Sequence, residues 1–193
     1  MQEESFEDLV IGLKNNYKTG TYGNLYSGVY VKEILYEFRE TLLFGGKLGI
    51  MLPLVFEDMP EHIAQMKYPS RNRPQVIKTN HDGSINCCFS LLDQQVSEKE
   101  IAETAAVMKD TLKKVQPWDT FLEEGTDRNH TNVFSWFTYK NYSIDSQIFN
   151  HMFVTAVDGR ALIGMFNCPY RDMQLWKDVM MSMMLTLNDK TGE

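Results

Sequence analysis

Residues 148–166 read IFNHMFVTAVDGRALIGMF, two apolar runs broken by Asp158-Gly159. Asp-Gly between alternating runs is a strong hairpin signal, because a two-residue type I′ turn needs positive φ at both central positions. Closing that turn with a Val157/Arg160 pair sets Val154 opposite Ile163 and Met152 opposite Met165 on one face. It sets Phe153 opposite Gly164 and His151 opposite Phe166 on the other. Both faces are largely apolar, whereas a sheet with one wet face alternates apolar with polar. The hairpin is therefore expected to be covered on both sides, and helices are the available cover. The fold class that follows is α/β: a three-layer α/β/α sandwich with a central, mostly antiparallel sheet.

Two helices can supply that cover. Ser97-Glu98-Lys99-Glu100 is a capping box, and the helix after it presents Ile101, Ala105, Met108, Leu112 and Val115 on one stripe until Pro117 ends it. A closing helix from about Arg171 shows Met173, Trp176, Met180, Met183 and Leu187 on one face. Val133 to Tyr139 is an aromatic-rich strand, and Val76 to Leu92 is a second hairpin turning at His81-Asp82-Gly83-Ser84.

Upstream, Ile34, Tyr36 and Phe38 alternate with polar residues, Gly45-Gly46 supplies a bend, and Leu48 to Leu54 runs back. Pro53 belongs at an edge or strand end because it cannot donate to a ladder. Phe56 to Met66 is polar with room for one helical turn, and Trp118 to His130 reads as a polar connector. At the N-terminus, Phe6, Leu9, Val10 and Leu13 have helical spacing, and Tyr17 to Gly28 reads as a surface loop. The expected organisation is a helical extension over residues 1–30 and a single domain over 31–193.

Lys and Arg number 19 against 26 Asp and Glu, for a net charge of −7. Such a balance repels a phosphate backbone, and no basic run compensates for it, so nucleic acid is not an expected partner. Three cysteines, two adjacent, form no disulfide framework and fit a reducing compartment. MQEESFEDLV has no positive stretch followed by an apolar one, and no apolar run approaches the ~20 residues of a spanning helix. A cytoplasmic location without membrane insertion is the expectation. Asn129-His130-Thr131 and Asn141-Tyr142-Ser143 match the glycosylation pattern, which matters only in a secreted chain.

Chemistry is sparse. No nucleophile elbow, metalloprotease pair, P-loop or dinucleotide glycine motif is present, so no catalytic residue, metal or cofactor is assigned. Cys87 and Cys88 point to opposite strand faces without metal-type spacing, and buried structural cysteine is the simpler reading. His151, between Phe149 and Phe153, reads as a core imidazole hydrogen-bonded to backbone. Asp127, Asn129 and Thr131 imitate the start of a calcium loop, but Asn132 stands where Gly is needed and Thr138 where a bidentate Glu is needed. Methionines between Met173 and Met184 are at core spacing. The one basic, proline-stiffened segment is Lys67 to Pro74, KYPSRNRP. It is expected to be extended and exposed, with Tyr68, Arg71 and Arg73 as candidate protein-binding residues.

Leu43 to Pro53 (LFGGKLGIMLP) and Phe56-Glu57-Asp58 resemble the opening strand and turn of the Mog family of Ran-binding proteins and, more broadly, the PsbP-like superfamily. The later order of elements, from Ile34 to Leu187, is also similar. Met59 to Pro74 has nothing equivalent to the segment that follows the acid in the Ran-binding family, so Ran binding is not carried over. Lys67-Tyr68-Pro69, Arg73-Pro74 and Thr79-Asn80 look closer to bacterial members of the superfamily, which include effector chaperones of the Eag type. What the resemblance implies is a PsbP-like binding scaffold without chemistry. The expected function is a non-enzymatic protein-interaction module, an adaptor or chaperone whose partner is another protein. The alternatives are a small-ligand carrier with a pocket between sheet and helix, and a hydrolase using Cys88 or His151.

Overall fold

The computed structural model describes residues 20–142 and 146–192. The helix expected over Ser5 to Leu13 lies outside them. From Thr21 onward strands stand where a loop to Gly28 was expected, and with the strand expected at Ile34 and Tyr36 they form an antiparallel meander of β1 (Thr21–Asn24), β2 (Gly28–Val31) and β3 (Ile34–Tyr36). The meander forms because Val29 and Val31 bury their branched side chains in the core while Tyr22 and Tyr30 stack across the strands at 4.9 Å.

Strands β4 (Phe38–Leu43) and β5 (Leu48–Pro53) pair antiparallel around a turn at Phe44–Gly46, with Pro53 as the last residue of its strand. After β6 (Glu57–Asp58) and α1 (Glu61–Lys67) come β7 (Val76–Thr79) and β8 (Asn86–Gln95), which pair as the expected second hairpin. The capping box forms as read, with the Ser97 amide donating to the Glu100 carboxylate at 2.8 Å. It starts a short 3-10 turn that runs into α2 (Ile101–Val115).

The expected polar connector is a strand, β9 (Thr120–Arg128), on the outer edge of the sheet beside β10 (Val133–Tyr142). An edge strand buries little, so its charges hid its period. Those charges anchor helices instead: Glu124 pairs with Lys109 of α2, and Glu123 with Lys177 of the closing helix α3 (Met173–Leu185).

The central hairpin is β11 (Gln147–Val157) and β12 (Arg160–Pro169), in the register read from its turn. Asp158 (φ 56°) and Gly159 (φ 65°) both take the positive φ that a type I′ turn requires. Gly164 is fixed by packing rather than by φ. The Phe153 ring lies over it, and a Cβ there would stand 2.0 Å from the Phe153 Cζ.

These strands form a seven-stranded antiparallel sheet in the order β6-β7-β8-β12-β11-β10-β9. Its Phe153 face is covered by α3, but not by helix alone. A three-stranded sheet, in which the short β13 (Asn188–Asp189) joins β5 and β4, shares that side. Period-two apolar residues at Leu48, Ile50 and Leu52 can bury a face only as a strand, so this layer mixes helix and sheet and departs from the helical cover expected. The Tyr36 and Phe56 rings meet Trp176 here, the first edge-on at 5.0 Å. On the opposite face α2 buries Ile101 and Ala105 against Val154 and Ala161, while α1 packs Ala64 near Ile77 and Cys88. The described fold is thus predominantly antiparallel sheet with few helices.

Candidate functional site

Helices α1 and α2 border opposite sides of a groove over the sheet, where the face is only partly covered. The stripe of α2 runs past its cover here: Leu112 is half-buried and Val115 is 66% exposed. The gap is a groove of about 1370 Å³, open to solvent. Its floor crosses β8, β12, β11 and β10. The loop after α1 forms one wall, Leu112 and Gln116 at the C-terminal end of α2 form the other, and Tyr170 with Arg171 borders it.

The floor is polar because Asn86 and Asn167 sit opposite each other in register, where neighbouring positions on both strands are apolar. A hydrogen-bonded chain satisfies them: Thr79 Oγ1 donates to Asn86 Oδ1 (2.7 Å), Asn86 Nδ2 to Asn167 Oδ1 (2.8 Å), and Asn167 Nδ2 to the Tyr68 hydroxyl (3.2 Å). The Cys88 thiol donates to the same hydroxyl at 3.4 Å. Burial, reinforced by Cys88, raises the Tyr68 phenol well above its ordinary value.

Among the three candidate binding residues the structure distinguishes sharply. Tyr68 is half-buried and built into the wall, not exposed as its segment implied. Arg73 lines the groove and pairs with Glu61 at 3.3 Å, while Arg71 is exposed and stands outside the lining. The sequence reading missed Tyr139, Tyr142, Gln147 and Arg171, which also line it. Lys140 lies over the rings of Tyr142 (5.0 Å) and Tyr170 (4.9 Å), which holds those two groove tyrosines together. Met165 and Ile148 supply apolar floor between the polar groups.

The residues weighed for catalysis are elsewhere or inert. Cys87, Cys88 and Cys168 are free and buried, and desolvation pushes the Cys88 and Cys168 thiols up to about 12. His151 is fully buried, stacked between Trp136 (5.4 Å) and Phe166 (6.2 Å). Neither ring nitrogen meets a partner among the described residues, which departs from the expected backbone hydrogen bond. Burial, helped by Lys177, depresses its pKa to about 3, so the imidazole is neutral. Cys88 and His151 lie on opposite faces of the sheet and cannot form a dyad.

The would-be calcium residues are structural. Asp127 accepts from the Trp136 indole at 2.7 Å, and Asn129 Nδ2 donates to the carbonyls of Leu185 and Leu187, tying off the end of α3. Among the described residues no group of three or more His, Cys, Asp or Glu is arranged to hold a metal.

The described fold is thus a mostly antiparallel sheet with a closing helix and a groove over part of one sheet face. The chain is similar in structure to cyanobacterial PsbP (CyanoP) from Synechocystis, at 9% identity and a TM-score of 0.55, over 79% of this chain and 92% of that one. It is also similar to a protein from Bacteroides thetaiotaomicron at 12% identity and a TM-score of 0.54, over 80% of this chain and 50% of that one. These likenesses support the PsbP-like resemblance at the level of fold, and they give the Ran-binding Mog branch no support. No protein-family profile and no curated protein matches the sequence.

Proposed function

We propose that this chain is a non-catalytic protein-interaction module, of adaptor or chaperone type, that receives a segment of another protein in the groove between α1 and α2. The observation that carries this reading is an open groove walled by Tyr68 and Arg73 and bordered by Tyr170 and Arg171. Tyr and Arg are the residue types most enriched where binding energy concentrates. A groove of about 1370 Å³ also exceeds the ~300–1,000 Å³ typical of small-molecule pockets. A small-ligand carrier would want an enclosed apolar cavity, and this floor is open and carries Asn86 and Asn167. The inert thiols and buried imidazole speak against the hydrolase. We read the architecture as the three-layer PsbP-like form, with β4, β5 and β13 sharing the outer layer with α3. The free cysteines favour a reducing, cytoplasmic setting.

A photo-reactive benzoylphenylalanine at Gln116 on the groove wall, compared with one at Lys99 before α2, tests the reading in native extract. Cross-links to discrete polypeptides from position 116 alone are expected. Equal labelling from both positions, or none from either, overturns it.

A further inference from the structure

We infer that the groove recognises an extended, carboxylate-bearing peptide segment, an inference that rests on the proposed function and specifies its partner. Asp and Glu outnumber Lys and Arg 26 to 19 in the chain, yet no described residue lining the groove is a carboxylate. Its charged lining residues are all cations: Lys67, Arg73 and Arg171.

Local partners do not exhaust these cations. Lys67 donates to the Gly83 carbonyl and lies near the Asp82 carboxylate, whose pKa it helps to lower, so its charge is answered only in part. Arg73 touches Glu61, whose side chain is 72% exposed, so the pair is weakened by solvent and one fork of the guanidinium is open to a second carboxylate. Arg171 is 86% exposed and meets Asp172 only at 3.7 Å. The described charges in the groove lining are thus cationic on a chain that is negative overall, which favours an anionic ligand over a cationic one there.

The geometry selects a peptide over a smaller anion. The floor spans four adjacent strands, and at strand spacing that is roughly 14 Å, the reach of about four extended residues. Each of those strands has a neighbour on both sides in the sheet, which leaves little free backbone edge for an added strand. Side chains must do the recognising. Tyr68, Tyr142 and Tyr170 border the same space as Met165 and Ile148, over a floor of Asn86 and Asn167 that is buried and hydrogen-bonded within itself. Such a lining suits acidic residues at the cationic margins with an apolar or aromatic residue between them.

Selection of a displayed random dodecapeptide library on the full chain tests this directly. The expected result is enrichment of Asp and Glu around an aromatic or aliphatic residue. A selected peptide should bind at least tenfold more weakly to Arg73→Glu/Arg171→Glu, or when its own Asp and Glu are changed to Asn and Gln. Raising salt should weaken it further. Arg171→Glu alone, at an exposed position, serves should the double variant melt early. Enriched peptides lacking acids, acidic peptides that ignore the charge reversals, or no enrichment at all would each overturn the inference. Displacement by free citrate as effective as by unlabelled peptide would make this a small-anion site and overturn the peptide assignment. Partner cross-linking at Gln116 together with neutral peptides would discard the acidic specificity and leave the groove reading standing.

Discussion

On the Phe153 face of the seven-stranded sheet, Phe149, Phe153, Phe166 and Trp176 are buried in one cluster, and His151 is buried beside them. On the opposite face α1 and α2 cover only the two flanks, and the strip between them carries asparagines joined in a hydrogen-bonded chain. One sheet therefore has a side committed to stability and a side part of which is committed to water or a ligand. The difference is written in side-chain chemistry at the same strand positions: β12 sends Phe166 one way and Asn167 the other. A buried aromatic face tolerates loss badly, whereas a satisfied polar strip loses only one hydrogen bond at a time.

Three measurements sharpen that contrast. Trp176→Ala should have the largest effect, destabilising by about 3–5 kcal/mol in urea unfolding, because the ring is 2% exposed and packed on Tyr36 and Phe56. A loss under about 1 kcal/mol would mean the face is less tightly filled than described.

His151 comes next. Its folded pKa, about 3, lies below the ordinary 6.5, so between those values the unfolded chain binds a proton that the folded chain refuses. Its contribution to stability is complete above pH 6.5 and falls by about 1.4 kcal/mol for each unit of acidification towards pH 3. Unfolding at pH 7, 6 and 5 should show that slope reduced in His151→Phe, which keeps the aromatic stack and removes the titration. Identical slopes in the two proteins would show that the imidazole is not held neutral.

On the groove side, Tyr68→Phe should cost only about 0.5–1.5 kcal/mol, since it removes the acceptor of Asn167 and Cys88 without emptying the wall. A larger loss would put Tyr68 with the packed face rather than with the site.

The central hairpin was legible to the residue, because Asp158-Gly159 allows one turn and period two then fixes every partner. The α2 stripe and the face of α3 were legible for a similar reason: burial along one side of a helix leaves a period. Elements that bury little leave none. Edge strand β9, whose Glu123 and Glu124 answer to Lys177 and Lys109, read as a connector. Strand β1 read as a loop because of the glycines in and beside it, whereas the alternation of Ile34 and Tyr36 already marked β3 as a strand. Only one wall of the groove was foreseen, at Tyr68 and Arg73, because the rest is assembled from positions scattered between Asn86 and Arg171. Asn86 opposite Asn167 needs the β8-β12 neighbourhood, and that is a fact of topology rather than of local spacing.

The Phe153 ring resting on Gly164 also bears on how this sequence can diverge. With that ring in place, position 164 admits no side chain, since even a methyl group would lie 2.0 Å from Cζ. Among descendants of this chain, glycine should disappear from position 164 only in lineages that have already exchanged the facing phenylalanine for something smaller. The order of those two changes is set by sterics rather than by chance. A substitution harmless in one lineage would be disabling in its sister, so the cross-strand pair is inherited as a single trait.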